Sequence, residues 1–236
     1  MKINKSEIIF LIRSYNEIKR LPNVIEEILT AGYKNIMVVD DGSTDGTGTV
    51  LQQYSNLLYV THPFNRGGWA AQETWFEYLR RYWKKSGYKY VVTFDADGQH
   101  DIADIKHFIK AYEKYPKTDI VFGSRFIVKT DTNVPLFRKI ILKWWILFTY
   151  ILSHIYLTDS HNGYRMIRIS VLKHIQLTMN GMEYASEMIE QISKNKLQFR
   201  EVPVNIRYDD YSLMKGQKSS NAFRIAFKMI FSKFFK

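Results

Sequence analysis

Val91-Val92-Thr93-Phe94-Asp95-Ala96-Asp97-Gly98-Gln99-His100-Asp101 is an apolar run that stops abruptly in carboxylates. Val91 to Phe94 predict a buried strand, because a short β-branched and aromatic run bounded by turn residues suits a parallel sheet covered on both faces. Successive side chains of a strand point to opposite faces, so Asp95 and Asp97 project the same way. Gly98 lets the backbone turn, and Gln99 adds another oxygen. A hard divalent cation, with waters and a bound diphosphate, would complete that oxygen shell. The plainer reading is a solvated acidic turn, and a lone Asp-x-Asp does not choose between the two.

Working outward, strands alternate with helices. Ile8 to Ile12 predicts a first buried strand ending at Arg13-Ser14-Tyr15-Asn16-Glu17, and Leu21 to Thr30 predicts a helix, with Val24, Ile25 and Ile28 at helical spacing and Gly32 to end it. A second strand, Asn35 to Val39, runs into Asp40-Asp41-Gly42-Ser43-Thr44-Asp45-Gly46-Thr47, whose Ser, Thr and Asp residues suit a helix cap. A third, Leu57 to Thr61, leads through Asn65-Arg66-Gly67-Gly68 into a helix from Trp69 to Lys85. That glycine pair lets backbone N–H groups approach a phosphate or a base. Beyond the quoted stretch come a helix from Ile102 to Tyr115, a strand from Asp119 to Phe122 ending in Gly123-Ser124-Arg125-Phe126, and a late strand, Glu201 to Tyr208, with Pro203 at a strand edge or start. The pattern predicts an α/β fold with a mostly parallel sheet. Its acidic loops fall at the strands' carboxyl ends, where open α/β sheets place ligands.

A chain of 236 residues with no cysteine and no long linker is expected to be one domain, residues 1–218, with an appended segment, residues 219–236. The lack of cysteine excludes a disulfide framework and a thiolate metal site. Met1 to Phe10 does not read as a signal peptide, so the expected location is cytoplasmic. A formal charge of +11 points to an anionic partner, whether sugar nucleotide, lipid or nucleic acid. Nucleic acid is the poorest fit, since its basic stripe should lack acidic clusters at strand ends. Ile140 to Leu157 is apolar but short of a membrane span and interrupted by Lys143 and His154. It reads as an interfacial helix, with a buried core helix as the competing reading. Asn221 to Lys236 sets Phe223, Phe227, Ile230, Phe231 and Phe234 against Arg224, Lys228, Lys233 and Lys236. Such an amphipathic helix suits an anionic membrane surface, a membrane partner protein or a homo-oligomer interface.

Ser14-Tyr15-Asn16-Glu17, the run Val38 to Thr47 and Asp95 to His100, in that order, resemble the family 2 glycosyltransferases of GT-A fold, and among them the dolichyl- and polyprenyl-phosphate sugar synthases. Gly123-Ser124-Arg125, Asp159-Ser160-His161-Asn162-Gly163-Tyr164-Arg165 and Glu201-Val202-Pro203 extend the likeness over nearly the whole chain. The resemblance implies an inverting transfer from a UDP- or GDP-linked sugar to a polyprenyl phosphate, by a protein peripheral to the inner face of the membrane. The rivals are a saccharide acceptor in capsule or lipopolysaccharide assembly and a non-catalytic sugar-nucleotide-binding module. By the same resemblance Tyr15, Glu17, Asp40 and Asp41 lie near base and ribose, with Asn65, Gly67 and Ala96 also against the donor. Asp95, Asp97 and Gln99 hold Mg²⁺ or Mn²⁺, and Arg125 and Arg138 bind phosphate oxygens. On a glycine-containing polar stretch, Arg207, Lys215 and Lys218 are expected either to close over the donor phosphates as a lid or to form a disordered basic loop. Asp159 falls near metal and acceptor. A sugar hydroxyl would need Asp159 or Glu187 as base, whereas a lipid phosphate is already ionised. One position departs from the family pattern: Arg13 stands where a proline is usual.

Overall fold

Five apolar residues in a row make the central strand. In β1, Ile8–Ser14, the side chains of Ile8, Phe10 and Ile12 enter one core and those of Ile9 and Leu11 the other, all fully buried, so the strand is covered on both faces. The computed structural model describes residues 2–127, 150, 153–160, 162–179 and 183–207. Around β1 it sets β2 (Ile36–Asp40), β3 (Leu58–Thr61), β4 (Tyr90–Asp95), β5 (Ile120–Ser124), β6 (Arg165–Arg168) and β7 (Phe199–Pro203), in the order β3-β2-β1-β4-β6-β5-β7. β1 pairs in parallel with β2 and β4, as do β2 with β3 and β5 with β7, while β6 runs antiparallel to both of its neighbours.

Helices α1 (Leu21–Thr30) and α4 (Ile105–Lys114) cover one face of the sheet, and α3 (Gly68–Ser86) and α5 (Glu183–Lys194) cover the other. The short α2 (Thr47–Leu51) follows the loop after β2. On α1 the buried residues are Leu21, Val24, Ile25 and Ile28, the spacing that turns one stripe toward the sheet.

The expected elements recur with ends moved by a residue or two, and the helix expected from Ile102 opens as a 3-10 turn, Ile102–Asp104, before α4. The late strand lies earlier than expected, at Phe199–Pro203, and further on only Ile206 pairs, in an isolated bridge with His100. Strand β6 and helix α5 are additions to the sequence reading. The first is four residues with an arginine at each end, too short for periodicity to mark it. The second carries Ala185, Met188, Ile189 and Ile192 at helical spacing, a signal the sequence does contain. Arg138, His161, Lys215, Lys218, most of the apolar segment 140–157 and the whole of segment 219–236 lie outside the described residues. Among the described residues no helix is long and apolar enough to cross a membrane.

The sheet order positions the site. Because β1 lies between β2 and β4, the register sets Ser14 beside Asp40 and Arg13 beside Asp95, so three carboxyl-end loops meet at one level. Gly42, at φ +71°, lets the loop after β2 close against the backbone of Phe64 and Asn65, where any side chain would collide.

Candidate active site

The three loops, with the chain after β3, the start of α3 and Tyr184 of α5, enclose a cleft of about 450 Å³ lined by Arg13, Ser14, Tyr15, Glu17, Asp41, Asn65, Gly67, Gly68, Ala71, Asp95, Ala96, Asp97 and Tyr184. Seven of the expected donor-site residues, Tyr15, Glu17, Asp41, Asn65, Gly67, Asp95 and Ala96, share it with Asp97 of the expected metal set. Gln99, the third member of that set, is not part of the lining.

Asp95 ends β4 and is held from two sides. Arg13 Nη2 donates to its Oδ1, and the backbone N–H of Asp95 donates to His100 Nδ1 at 3.2 Å, which leaves the ring proton on Nε2, 3.6 Å from Asp95 Oδ2. Burial drives the imidazole pKa down to about 4, so His100 is neutral at physiological pH. It stacks on Tyr164, with ring centroids 4.9 Å apart. Burial works against ionising Asp95, but the Arg13 guanidinium overrides it and holds the carboxyl below its ordinary range. Asp97 behaves oppositely: burial first, then the Asp95 carboxylate and Glu17, push it up to about 7. Its Oδ1 accepts the Gln99 N–H at 3.0 Å, which shapes the turn.

These residues fit a divalent cation. Two carboxylates two residues apart repel one another in the cleft, with a third, Glu17, adding to the repulsion, and the Arg13 guanidinium among the lining residues pairs with Asp95 alone. Among the described residues no three His, Cys, Asp or Glu side chains gather into a complete cage. Asp95 and Asp97 supply two side-chain carboxylates, so a cation here would draw further ligands from water and from a substrate's phosphates.

The remaining candidates fall in different places. Asp41 faces the cleft, but its carboxylate is occupied by protein donors: Oδ1 accepts from the Arg66 N–H at 3.1 Å and lies 2.6 Å from His62 Nδ1, and Oδ2 accepts the Gly67 N–H at 2.7 Å. It thereby caps the start of α3 from the loop after β2, where a negative charge complements the helix dipole. His62 Nε2 in turn meets the Thr74 hydroxyl at 2.9 Å. Asp40 is buried beneath the cleft, with Oδ1 accepting the Ser43 N–H at 3.1 Å and Oδ2 turned toward Gly48 and lacking a hydrogen bond among the described residues.

Arg125 and Asp159, expected on a phosphate and an acceptor, are partners of each other. Nε and Nη2 of the arginine donate to the two carboxylate oxygens at 2.6 and 2.7 Å, in a pair whose side chains are only 8% and 1% exposed. Glu201 supports that segment by accepting the Thr158 N–H at 2.9 Å and the Asp159 N–H at 3.3 Å. Glu187, the other expected base, is buried on α5 and accepts from the Thr178 N–H and hydroxyl at 2.9 and 2.6 Å and from the Met179 N–H at 3.1 Å, away from the cleft lining. Arg207 is tied to Glu27 and Asp101, each at 3.1 Å, rather than poised over the cleft. Its backbone N–H donates to the Gln99 carbonyl at 2.8 Å.

Sequence reasoning missed Arg13 and Tyr184 as cleft residues, and His62 and His100 as the groups that hold Asp41 and Asp95. For Arg13 the departure from the family's proline was the available signal.

The family model described as glycosyl transferase family 2 matches residues 10–176. The UDP-N-acetylglucosamine–dolichyl-phosphate N-acetylglucosaminyltransferase of Methanococcus voltae is 32% identical over 245 residues, covering 96% of this chain and 96% of the relative. The polyprenol monophosphomannose synthase of Mycolicibacterium smegmatis is 28% identical, covering 93% of this chain and 84% of that one. Among solved structures, glucosyl-3-phosphoglycerate synthase from Mycobacterium tuberculosis, in complex with Mn²⁺, uridine diphosphate and phosphoglyceric acid, superposes with a TM-score of 0.65 at 14% identity, covering 94% of this chain and 78% of that one, which shows the GT-A fold. With its sheet order, its carboxylate-ended strands and a family match over more than half its length, the chain belongs to glycosyl transferase family 2 and is a glycosyltransferase.

Proposed function

We propose that the protein is an inverting, metal-dependent transferase that moves a sugar from a UDP- or GDP-linked donor to a polyprenyl phosphate at the cytoplasmic face of a membrane. The observation that carries this reading is the state of the two carboxylates expected as a general base. Asp159 is held by Arg125 and Glu187 by Thr178 and Met179. A sugar hydroxyl needs a base to take its proton. A phosphate monoester is already ionised at neutral pH and needs only to be positioned. Both relatives described above carry a lipid phosphate or polyprenol in their names, in keeping with such an acceptor.

In the proposed reaction the acceptor phosphate oxygen attacks the anomeric carbon from the face opposite the leaving group. The bond from that carbon to the diphosphate breaks, and its electron pair departs with the diphosphate. Asp95 and Asp97, with Gln99, would hold Mg²⁺ or Mn²⁺, whose chemistry is to neutralise the charge growing on that leaving group. His100 keeps Asp95 in place, and Asp41 fixes the Arg66–Gly67 backbone beside the donor. Tyr15 and Glu17 border the nucleotide. A net charge of +11 suits a surface of anionic lipid.

Purified protein incubated with radiolabelled UDP- or GDP-sugars, Mn²⁺ and polyprenyl phosphate should move label into the organic phase, and EDTA should abolish the transfer. Label appearing only in a soluble saccharide, or transfer undiminished in excess EDTA, would refute the proposal.

A further inference from the structure

Arg13 lies in the floor of the cleft, on the strand beside the carboxylate pair. Its Nη2 donates to Asp95, its Nη1 donates to the Tyr184 hydroxyl, and its guanidinium carbon lies 5.6 Å from the centre of the Tyr184 ring. The Nε is buried without a hydrogen-bond partner among the described residues. Space around the group is tight. A Cβ added at Gly68 would come within 3.4 Å of Nη1, and one at Gly163 within 3.4 Å of Nη2 and 2.7 Å of Asp95 Oδ2, so both glycines make room for this ion pair.

A full positive charge thus sits on the first of the two carboxylates that would hold a divalent cation. With Arg13 in place, Asp95 and an ionised Asp97 together present one net negative charge rather than two, and an Asp95 oxygen is already taken. A cation arriving alone meets like charge and an occupied ligand. A nucleoside diphosphate changes both conditions: it brings its own anionic oxygens to the cation, and it offers the planar Arg13 fork an alternative anion within the same cleft.

We propose that Arg13 is a resident counterion that keeps Asp95 and Asp97 from taking a divalent cation until a nucleoside diphosphate arrives, and that it then passes from Asp95 to the diphosphate. The inference rests on the metal-dependent reading above and adds an order to it, in which nucleotide and metal bind together. Arg13 is here a binding residue with two successive partners, Asp95 before the nucleotide arrives and the diphosphate after it.

The test is a Mn²⁺ titration followed by the electron paramagnetic resonance of free Mn²⁺, with UDP, with GDP and with neither, on the wild type and on Arg13→Met. The wild type should bind Mn²⁺ at least ~10-fold more tightly with one of the nucleotides than without. Arg13→Met should tighten nucleotide-free binding by ~10-fold or more and weaken metal-free binding of the same nucleotide by calorimetry. Arg13→Gln, which can still donate to Tyr184, serves the same comparison if Arg13→Met does not fold. Nucleotide-free Mn²⁺ affinity that is unchanged or weaker in the variant overturns the inference alone. Absence of Mn²⁺ uptake by the wild type with either nucleotide overturns the metal-dependent reading, and the inference with it.

Discussion

Replacing Asp41 by Asn separates a carboxylate that binds the donor from one that builds the site. The side chain is buried and serves three donors, the N–H groups of Arg66 and Gly67 and the His62 ring. Asn keeps one acceptor oxygen. If that oxygen stays with His62 and Arg66, the new NH₂ group faces the Gly67 N–H, so one charge-assisted bond is lost and donor meets donor. A hydrogen bond to a charged group contributes about 1.5–3 kcal/mol, and a buried donor left unpaired costs a similar amount, so a loss of about 3 kcal/mol is expected. For a domain of this size that lowers Tm by roughly 6–12 °C. Differential scanning fluorimetry measures it, with nucleotide affinity taken by calorimetry well below the transition, where it should fall by no more than about threefold. A Tm within about 2 °C of wild type together with a loss of nucleotide affinity of about 30-fold would refute the reasoning, and would mean that Asp41 reaches the nucleotide itself.

Buried charge sets two more outcomes. Asp97 must lose its proton to ligate a cation, and burial and Asp95 push its pKa up to about 7, so nucleotide-dependent Mn²⁺ affinity should fall by about tenfold per pH unit below 7, level off above it, and release close to one proton at about pH 6. A flat profile from about pH 5.5 to 8 would exclude Asp97 as a ligand. Asp159→Asn leaves the Arg125 charge buried without its partner and should cost about 3–5 kcal/mol by urea denaturation, with Arg125→Met restoring part of the loss in the double variant; equal stability of Asp159→Asn and wild type would show that the pair is not structural.

The strands and most helices were legible because their residues are buried on one face or two, and burial writes itself into periodicity. Ile8 to Ile12 and Val91 to Phe94 are continuous apolar runs, and α1 repeats its apolar residues at helical spacing. The meeting of Tyr15, Asp41 and Asp95 was legible too, since each lies at or just beyond the end of a strand and parallel strands deliver their carboxyl ends to one side. Sequence could not assign partners. Arg125 and Asp159 are 34 residues apart, and nothing local says that they satisfy each other; Asp41 and His62 likewise meet only because β2 and β3 pair. Pairing of this kind is a property of the folded chain, and it decides whether a carboxylate is a reagent or a strut.

The turn that carries Asp97 and Gln99 is fastened to the chain leaving β7. His100 bridges Ile206, the Gln99 carbonyl accepts the Arg207 N–H, and the Arg207 side chain reaches Asp101. A substitution that shifts Ile206 or Arg207 is therefore expected to reach the Asp97 turn directly, through these contacts and without an intervening helix.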